Sequence, residues 1–268
     1  MLTNTGTIIH NASSNGELYF QDGTLENQAN AVYELQSGEL DTLSGTNAIN
    51  NAGTFSKTTD GTGLIDVAFN NSGTVEVAGG TLNLSRGGSS NGGTYTVAND
   101  STLQFGNGTH TLGQGTTLSG QGTLLITSAT VEANAAITLL EKTDWTGGTL
   151  SGTGLTNDGT LNIAGGSDKY LAGVLTNKGT ITHNAGSSGE IFFQNGTLEN
   201  QVDAVYELQS GELDTLSGTN AINNAGTFSK TTDGTGLIDV AFNNSGTVEV
   251  AGGTLNLSRG GSSNGGTY

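Results

Sequence analysis

The stretch FNNSGTVEVAGGTLNLSRGG occurs twice, at 69–88 and, letter for letter, at 242–261. A shift of 173 positions lays 1–95 onto 174–268, with ten differences in those 95 pairs and none from Ala31 to Tyr95. The changes are mild: Leu18 becomes Ile191, Tyr19 becomes Phe192 and Ala29 becomes Val202. Open-ended duplication of this kind suits an architecture in which each unit touches only its neighbours. The organisation read from it is a first repeat unit at 1–173 and a partial second copy at 174–268, continuous with the first in one rod.

Inside the 173-residue unit a shorter pattern recurs, a small residue, Thr, then apolar–any–apolar. It reads GTVEV at 73–77, GTLNL at 80–84, GTYTV at 93–97, STLQF at 101–105, GTLLI at 122–126 and GTLNI at 159–163. A period of two marks a half-buried strand, with Val75 and Val77 on one side and Glu76 on the other. Each run lasts about five residues before Gly-Gly, Asn-Asp, Asn-Gly or Ser-Gly turns the chain. The nearest approach to a helix, TVEANAAITLLEK at 130–142, reads equally well as two strands.

Spacing selects the architecture. Thr74 and Thr94 are 20 residues apart, Thr94 and Thr116 are 22, and further strands start at Thr81 and Thr102. Two or three short strands in roughly 20 residues make one rung, and periods of this order are the solenoid signature. The expected fold is all-β: a right-handed parallel β-helix (β-solenoid) with about 20 residues per rung. Strands of successive rungs then lie about 4.8 Å apart, with Val, Leu, Ile and Phe stacked inward. Gly turns the corners, and Asn, which tolerates the same backbone region, can stack its amides into ladders. One rung buries too little apolar surface to offset ordering its backbone at ~1–2 kcal/mol per residue, so stacking is obligatory.

Composition agrees with a thin core and excludes several functions. Of 268 residues 45 are Gly and 32% are hydrophobic, with no Pro or Cys, so disulfide frameworks and thiolate metal sites are out. Disorder is the bland alternative for a chain rich in Gly, Ser and Asn, but its apolar residues are regularly placed. A net charge of −17 with seven Lys and Arg argues against nucleic acid and anionic membranes. No apolar stretch approaches ~18 residues, so no membrane insertion is expected. The start MLTNTGTIIH has no basic-then-apolar leader, and Met1 stands where the second copy has Val174; the chain reads as a slice of something longer.

NNSGTVEVAGGTLNLS at 70–85, NGGTYTVANDSTLQF at 91–105 and GTTLSGQGTLLI at 115–126 resemble the large tandem-repeat parallel β-helix surface proteins of bacteria. These are the adhesins of the filamentous-haemagglutinin and autotransporter-passenger type. The resemblance implies an exported stalk, fibre or adhesin. Secretion domain, membrane barrel and sorting signal are not recognised, which leaves the route of export open.

Candidate chemistry was weighed residue by residue. Glu34, Glu39 and Asp41, repeated as Glu207, Glu212 and Asp214, offer a carboxylate group for glycoside cleavage or calcium; a solvated acidic face explains them as well. DGTGLID at 60–66 and 233–239 offers oxygens to weakly bound calcium but lacks the spacing of known calcium loops. His10 and His183 share one repeat position, in GTIIH and GTITH, where other strands place an inward residue; with His110 they read as hydrogen-bonded rung histidines. Trp145 fills a wider rung or stacks on a sugar. Asn70, Asn107 and Asn195 lie in sequons expected by chance, and GxGxxG-like strings carry no information in so much glycine.

No catalytic, cofactor-binding or metal residues are assigned, and weak association with Ca²⁺ is the only cofactor contact expected. The expectation is a non-enzymatic structural or adhesive segment of an extracellular bacterial fibre, with end-to-end self-association into filaments. The alternatives are a module that binds surface glycans through exposed Thr and Asn, and a polysaccharide-cleaving β-helix enzyme.

Overall fold

The computed structural model describes residues 1–12 and 16–268. It is a parallel β-solenoid with about 12 turns of roughly 21 residues. Among the described residues the only helical element is one 3-10 turn, Gly186–Ser188. The chain forms two compact units, Met1–Leu140 and Glu141–Tyr268. The 173-residue sequence period and the compact units are thus cut at different places.

Within the first unit each turn supplies one strand to each of three parallel ladders. The turn Ala68–Asn71, Thr74–Val77 and Thr81–Leu84 is representative. Thr74 pairs with Thr54 and Thr94, Val75 with Phe55 and Tyr95, and Val77 with Lys57 and Val97. Thr81 pairs with Thr62 and Thr102. The next rung differs from the spacing read above by one residue: Thr94 pairs with Thr117, not Thr116. Thr116 is buried at the corner, where its hydroxyl donates to the Ser90 carbonyl at 2.9 Å.

The second unit repeats the plan. Lys142–Trp145, Thr160–Ala164, Thr180–Asn184, Val205–Ser210, Thr227–Lys230 and Thr247–Val250 form one ladder. Gly148–Asn157 and Lys169–Asn177 are longer and pair through Leu150–Leu171 and Leu155–Leu175 on either side of a register shift. The ambiguous stretch at 130–142 contains the strands Thr130–Ala133 and Ile137–Thr138 and no helix.

Alternation places the core as the period of two demands. Val75, Val77, Leu82 and Leu84 are buried, whereas Glu76 faces solvent. In-register pairing stacks like on like: the rings of Tyr33 and Phe55 lie 5.0 Å apart and 4° from parallel, and those of Tyr206 and Phe228 4.7 Å and 5°. Phe55 meets Phe69 edge-on at 5.2 Å, tying two ladders together across a core one side chain thick. Such stacks add to plain area burial.

Glycine is required where two strands, Gly88–Ser90 and Gly261–Ser263, begin against the backbone of the preceding turn. Gly88 has φ of +138°, and a Cβ there would lie 1.9 Å from the Phe69 carbonyl oxygen. Gly261, its counterpart in the second copy, meets Phe242 in the same way.

Phe55 is fully buried between two aromatic neighbours. Phe55→Ala should destabilise the chain by about 3–5 kcal/mol through the cavity it leaves, read as a lowered midpoint in urea unfolding.

Candidate functional site

In many turns the first strand ends in an Asn followed by x-Gly-Thr: NTGT at Asn4, NAGT at Asn51, NSGT at Asn71, NDGT at Asn157 and NKGT at Asn177; Asn27 and Asn200 hold the same position without that motif. In-register pairing stacks these side chains inside the corner. Asn4 donates to Asn27, Asn27 to Asn51 and Asn51 to Asn71, at 2.8, 2.7 and 2.8 Å. In the second unit Asn157, Asn177, Asn200, Asn224 and Asn244 form four such links of 2.7–2.8 Å. The other N–H of each amide caps a backbone carbonyl of the following strand, as from Asn51 to Thr74 at 3.0 Å and Asn200 to Thr227 at 3.0 Å. Buried polar atoms are thereby satisfied within the stack, apart from the Oδ1 of Asn157, which heads the second run and has no donor among the described residues. In the first unit the run stops where Ser90 stands in register after Asn71, followed by Leu112 and Ala133.

Immediately outside this ladder, one position earlier in each strand, runs a second, solvent-facing row. Asn50 donates to the Glu26 carboxylate at 2.8 Å and Asn70 to the Asn50 carbonyl oxygen at 2.9 Å. The amide and hydroxyl of Ser89 donate to Asn70 at 3.0 and 3.1 Å. The two rows border a trough of about 310 Å³. The second copy repeats it at about 340 Å³, along Glu199, Asn223, Asn243 and Ser262.

The acidic group is divided by the fold. Glu34 lies on Val32–Ser37, while Glu39 and Asp41 lie beyond the Gly38 corner on Glu39–Ser44, flanking buried Leu40 as the alternation requires. Gln36 and Thr58 donate to Glu34 at 2.8 and 2.9 Å, holding its carboxyl below the usual range. In the second copy Glu207 takes the same bonds from Gln209 and Thr231, both at 3.0 Å. Asp214 pairs in register with Asp239; partial burial, then the neighbouring Asp239 carboxylate, raises the Asp214 carboxyl. Asp239 is lowered by Ser258 first and by Arg259, whose Nε lies 3.1 Å away. Glu212 stands two positions before Asp214 on the same strand.

At the edge of the loop offered to calcium, the Asp60 carbonyl accepts from a lysine. The Nζ of buried Lys57 donates to the carbonyl and hydroxyl of Thr59 and to the Asp60 carbonyl at 3.4 Å. Lys230 repeats this with Thr232 and Asp233. Asp66, past the strand Thr62–Ile65, is held by Arg86 at 3.1 Å and Ser85 at 2.8 Å. Among the described residues no group of three His, Cys, Asp or Glu side chains could hold a metal ion. The sign that could have found this ammonium is TFSK: its Lys sits where sister strands place an apolar inward residue.

The histidines are rung residues, as expected. His183 is fully buried, with Nδ1 2.8 Å from the Tyr206 hydroxyl, and His10 makes the same contact with Tyr33 at 2.9 Å. Burial and then the Lys169 charge push His183 down to about 3; burial pushes His110, bonded to the Asn107 carbonyl at 3.1 Å, down to about 4. Trp145 is 1% exposed and belongs to the core. Of the sequon residues, Asn70 lies in the trough row, Asn107 bonds its own loop and Asn195 accepts from Thr219.

No protein-family model, curated protein or solved structure matches the chain.

Asn51→Ala strands one N–H of Asn27 and removes a donor from the Thr74 carbonyl and from the Asn71 oxygen, which keeps the Gly73 amide, at ~1–3 kcal/mol for a buried group left without a partner. We expect a loss of about 2 kcal/mol or more, against less than about 1 kcal/mol for solvent-facing Asn50→Ala, by denaturant titration. The histidines set an acid dependence. Because His110 and His183 are held neutral when folded, the unfolded chain binds more protons below its pKa of 6.5. Their stabilising contribution is complete above pH 6.5 and declines as pH falls toward their folded values. Between pH 7 and pH 5 unfolding should become easier by on the order of 1–2 kcal/mol per histidine, and His183→Phe should flatten that slope.

Proposed function

We propose that the chain is a structural and adhesive repeat segment of an extracellular bacterial surface fibre or stalk, and that it works without catalysis. The observation carrying this reading is the buried amide ladder beside three parallel strand ladders. Peeling off a turn that carries a ladder Asn must break its strand pairing and an amide link together. A stack bonded in this way suits a load-bearing spacer, and its acidic, polar sides disfavour lateral clumping. End-to-end association of copies belongs to the same reading. The bacterial, extracellular setting is supported by the resemblance of the 70–85 and 91–105 stretches to repetitive surface adhesins.

The non-catalytic half is supported by the arrangement of the chemically competent groups. Glu34 and the Glu39–Asp41 pair lie on different strands across a corner, and the deeply buried histidines bond to a tyrosine hydroxyl and a backbone carbonyl. A second reading, glycan binding by an adhesive module, is favoured by the open amide troughs.

Antibodies against the purified chain should label intact cells that make the parent protein; label appearing only after permeabilisation would overturn the location. Incubation of the chain with plant and bacterial polysaccharides should release no reducing ends, and release above the blank would overturn the non-catalytic half.

A further inference from the structure

Both copies carry the same solvent-facing row at the same repeat positions: Glu26, Asn50, Asn70 and Ser89, and Glu199, Asn223, Asn243 and Ser262. We propose that each trough binds a neutral, hydroxyl-rich glycan chain lying along the row, two sites per polypeptide. The proposal rests on the adhesive half of the reading above and gives it a site.

Three properties of the row point to that ligand class. Its polar groups recur at the strand spacing of about 4.8 Å, so a polymer presents successive hydroxyls to successive turns. Its side chains are already fixed by the 2.8 and 2.9 Å bonds that join Glu26, Asn50 and Asn70, so little rotamer freedom remains to be lost on binding. Its bonding capacity is unfinished. Asn50 and Asn70 each use one N–H in the row, and the second has no partner among the described residues; neither has the other Glu26 oxygen. The row therefore offers an acceptor at Glu26 and donors at Asn50 and Asn70, which a hydroxyl can meet as both donor and acceptor.

Charge narrows the class further. No Lys or Arg lines either trough, and the chain carries −17, so acidic polysaccharides are repelled. A bare cation would meet one carboxylate, because the oxygens of Asn50 and Asn70 already accept hydrogen bonds. Small side chains keep the trough open on the flank: Ala52 and Ser72 in the first copy, Ala225 and Ser245 in the second.

The test is isothermal titration of the full chain with cellohexaose, xylohexaose and mannohexaose, and with oligogalacturonate as the acidic control. We expect at least one neutral oligosaccharide to bind with two sites per chain. Asn70→Ala should leave one site. Asn70→Ala with Asn243→Ala should weaken both by about tenfold or more, as loss of one or two hydrogen bonds per site predicts, with the β-sheet circular dichroism spectrum retained at the titration temperature. Absence of binding to all three neutral oligosaccharides, equal binding by the double variant, or preference for oligogalacturonate would each overturn the proposal. Surface labelling of cells is independent of these outcomes, so failure here leaves the structural half of the reading standing.

Discussion

Parallel pairing between residues about twenty apart is the constraint from which the rest follows. A turn here is three strands of four or so residues around a core one side chain thick, and it cannot close a core by itself. Its backbone donors and acceptors, its Phe or Leu and its corner Asn are all completed by the turn before and the turn after. Thr74 between Thr54 and Thr94, and Asn51 between Asn27 and Asn71, show one rule acting on backbone and side chain. Register is strict because a slip of one residue would turn Val75 and Val77 out and Glu76 in.

The same rule governs where polar groups are buried. The corner Asn enters the interior because its amide has one donor for the next turn, one for a strand carbonyl, and an oxygen for the turn before. Lys57 enters because its stem lies along the apolar stack while its ammonium reaches the carbonyls of its own corner. His183 enters neutral, against a tyrosine hydroxyl. Each is a solution to completing a narrow stack. The winding also separates sequence neighbours: Glu34 and the Glu39–Asp41 pair lie on different strands across the Gly38 corner, whereas Asp214 and Asp239, 25 residues apart, stand side by side.

Much of this was legible from residue order. Period-two runs after Gly-Thr marked the strands, and spacings of twenty to twenty-two marked the turns. Thr116 misled by one residue because a second Thr follows it, and only the ladder shows which of the two pairs with Thr94. Gly was legible as a corner residue in general, but Gly88 opens the strand Gly88–Ser90, and its necessity comes from the Phe69 carbonyl lying against it.

Taken alone, the order of residues determined the all-β class, the repeat and the inward and outward sides of each strand, because alternation and turn chemistry are local properties. Tertiary structure decided how the Asn of the buried ladder and of the open trough are joined. Alternation from Ile49 already turns Asn51 inward and Asn50 outward, but the amide links of Asn51 to Asn27 and Asn71, and of Asn50 to Glu26 and Asn70, exist only when the turns above and below are in place. It also decided that YELQSGELD is split across a corner and that the loop oxygens at 59 and 60 hold an ammonium. Those outcomes depend on contacts between residues far apart in sequence, which no local pattern records.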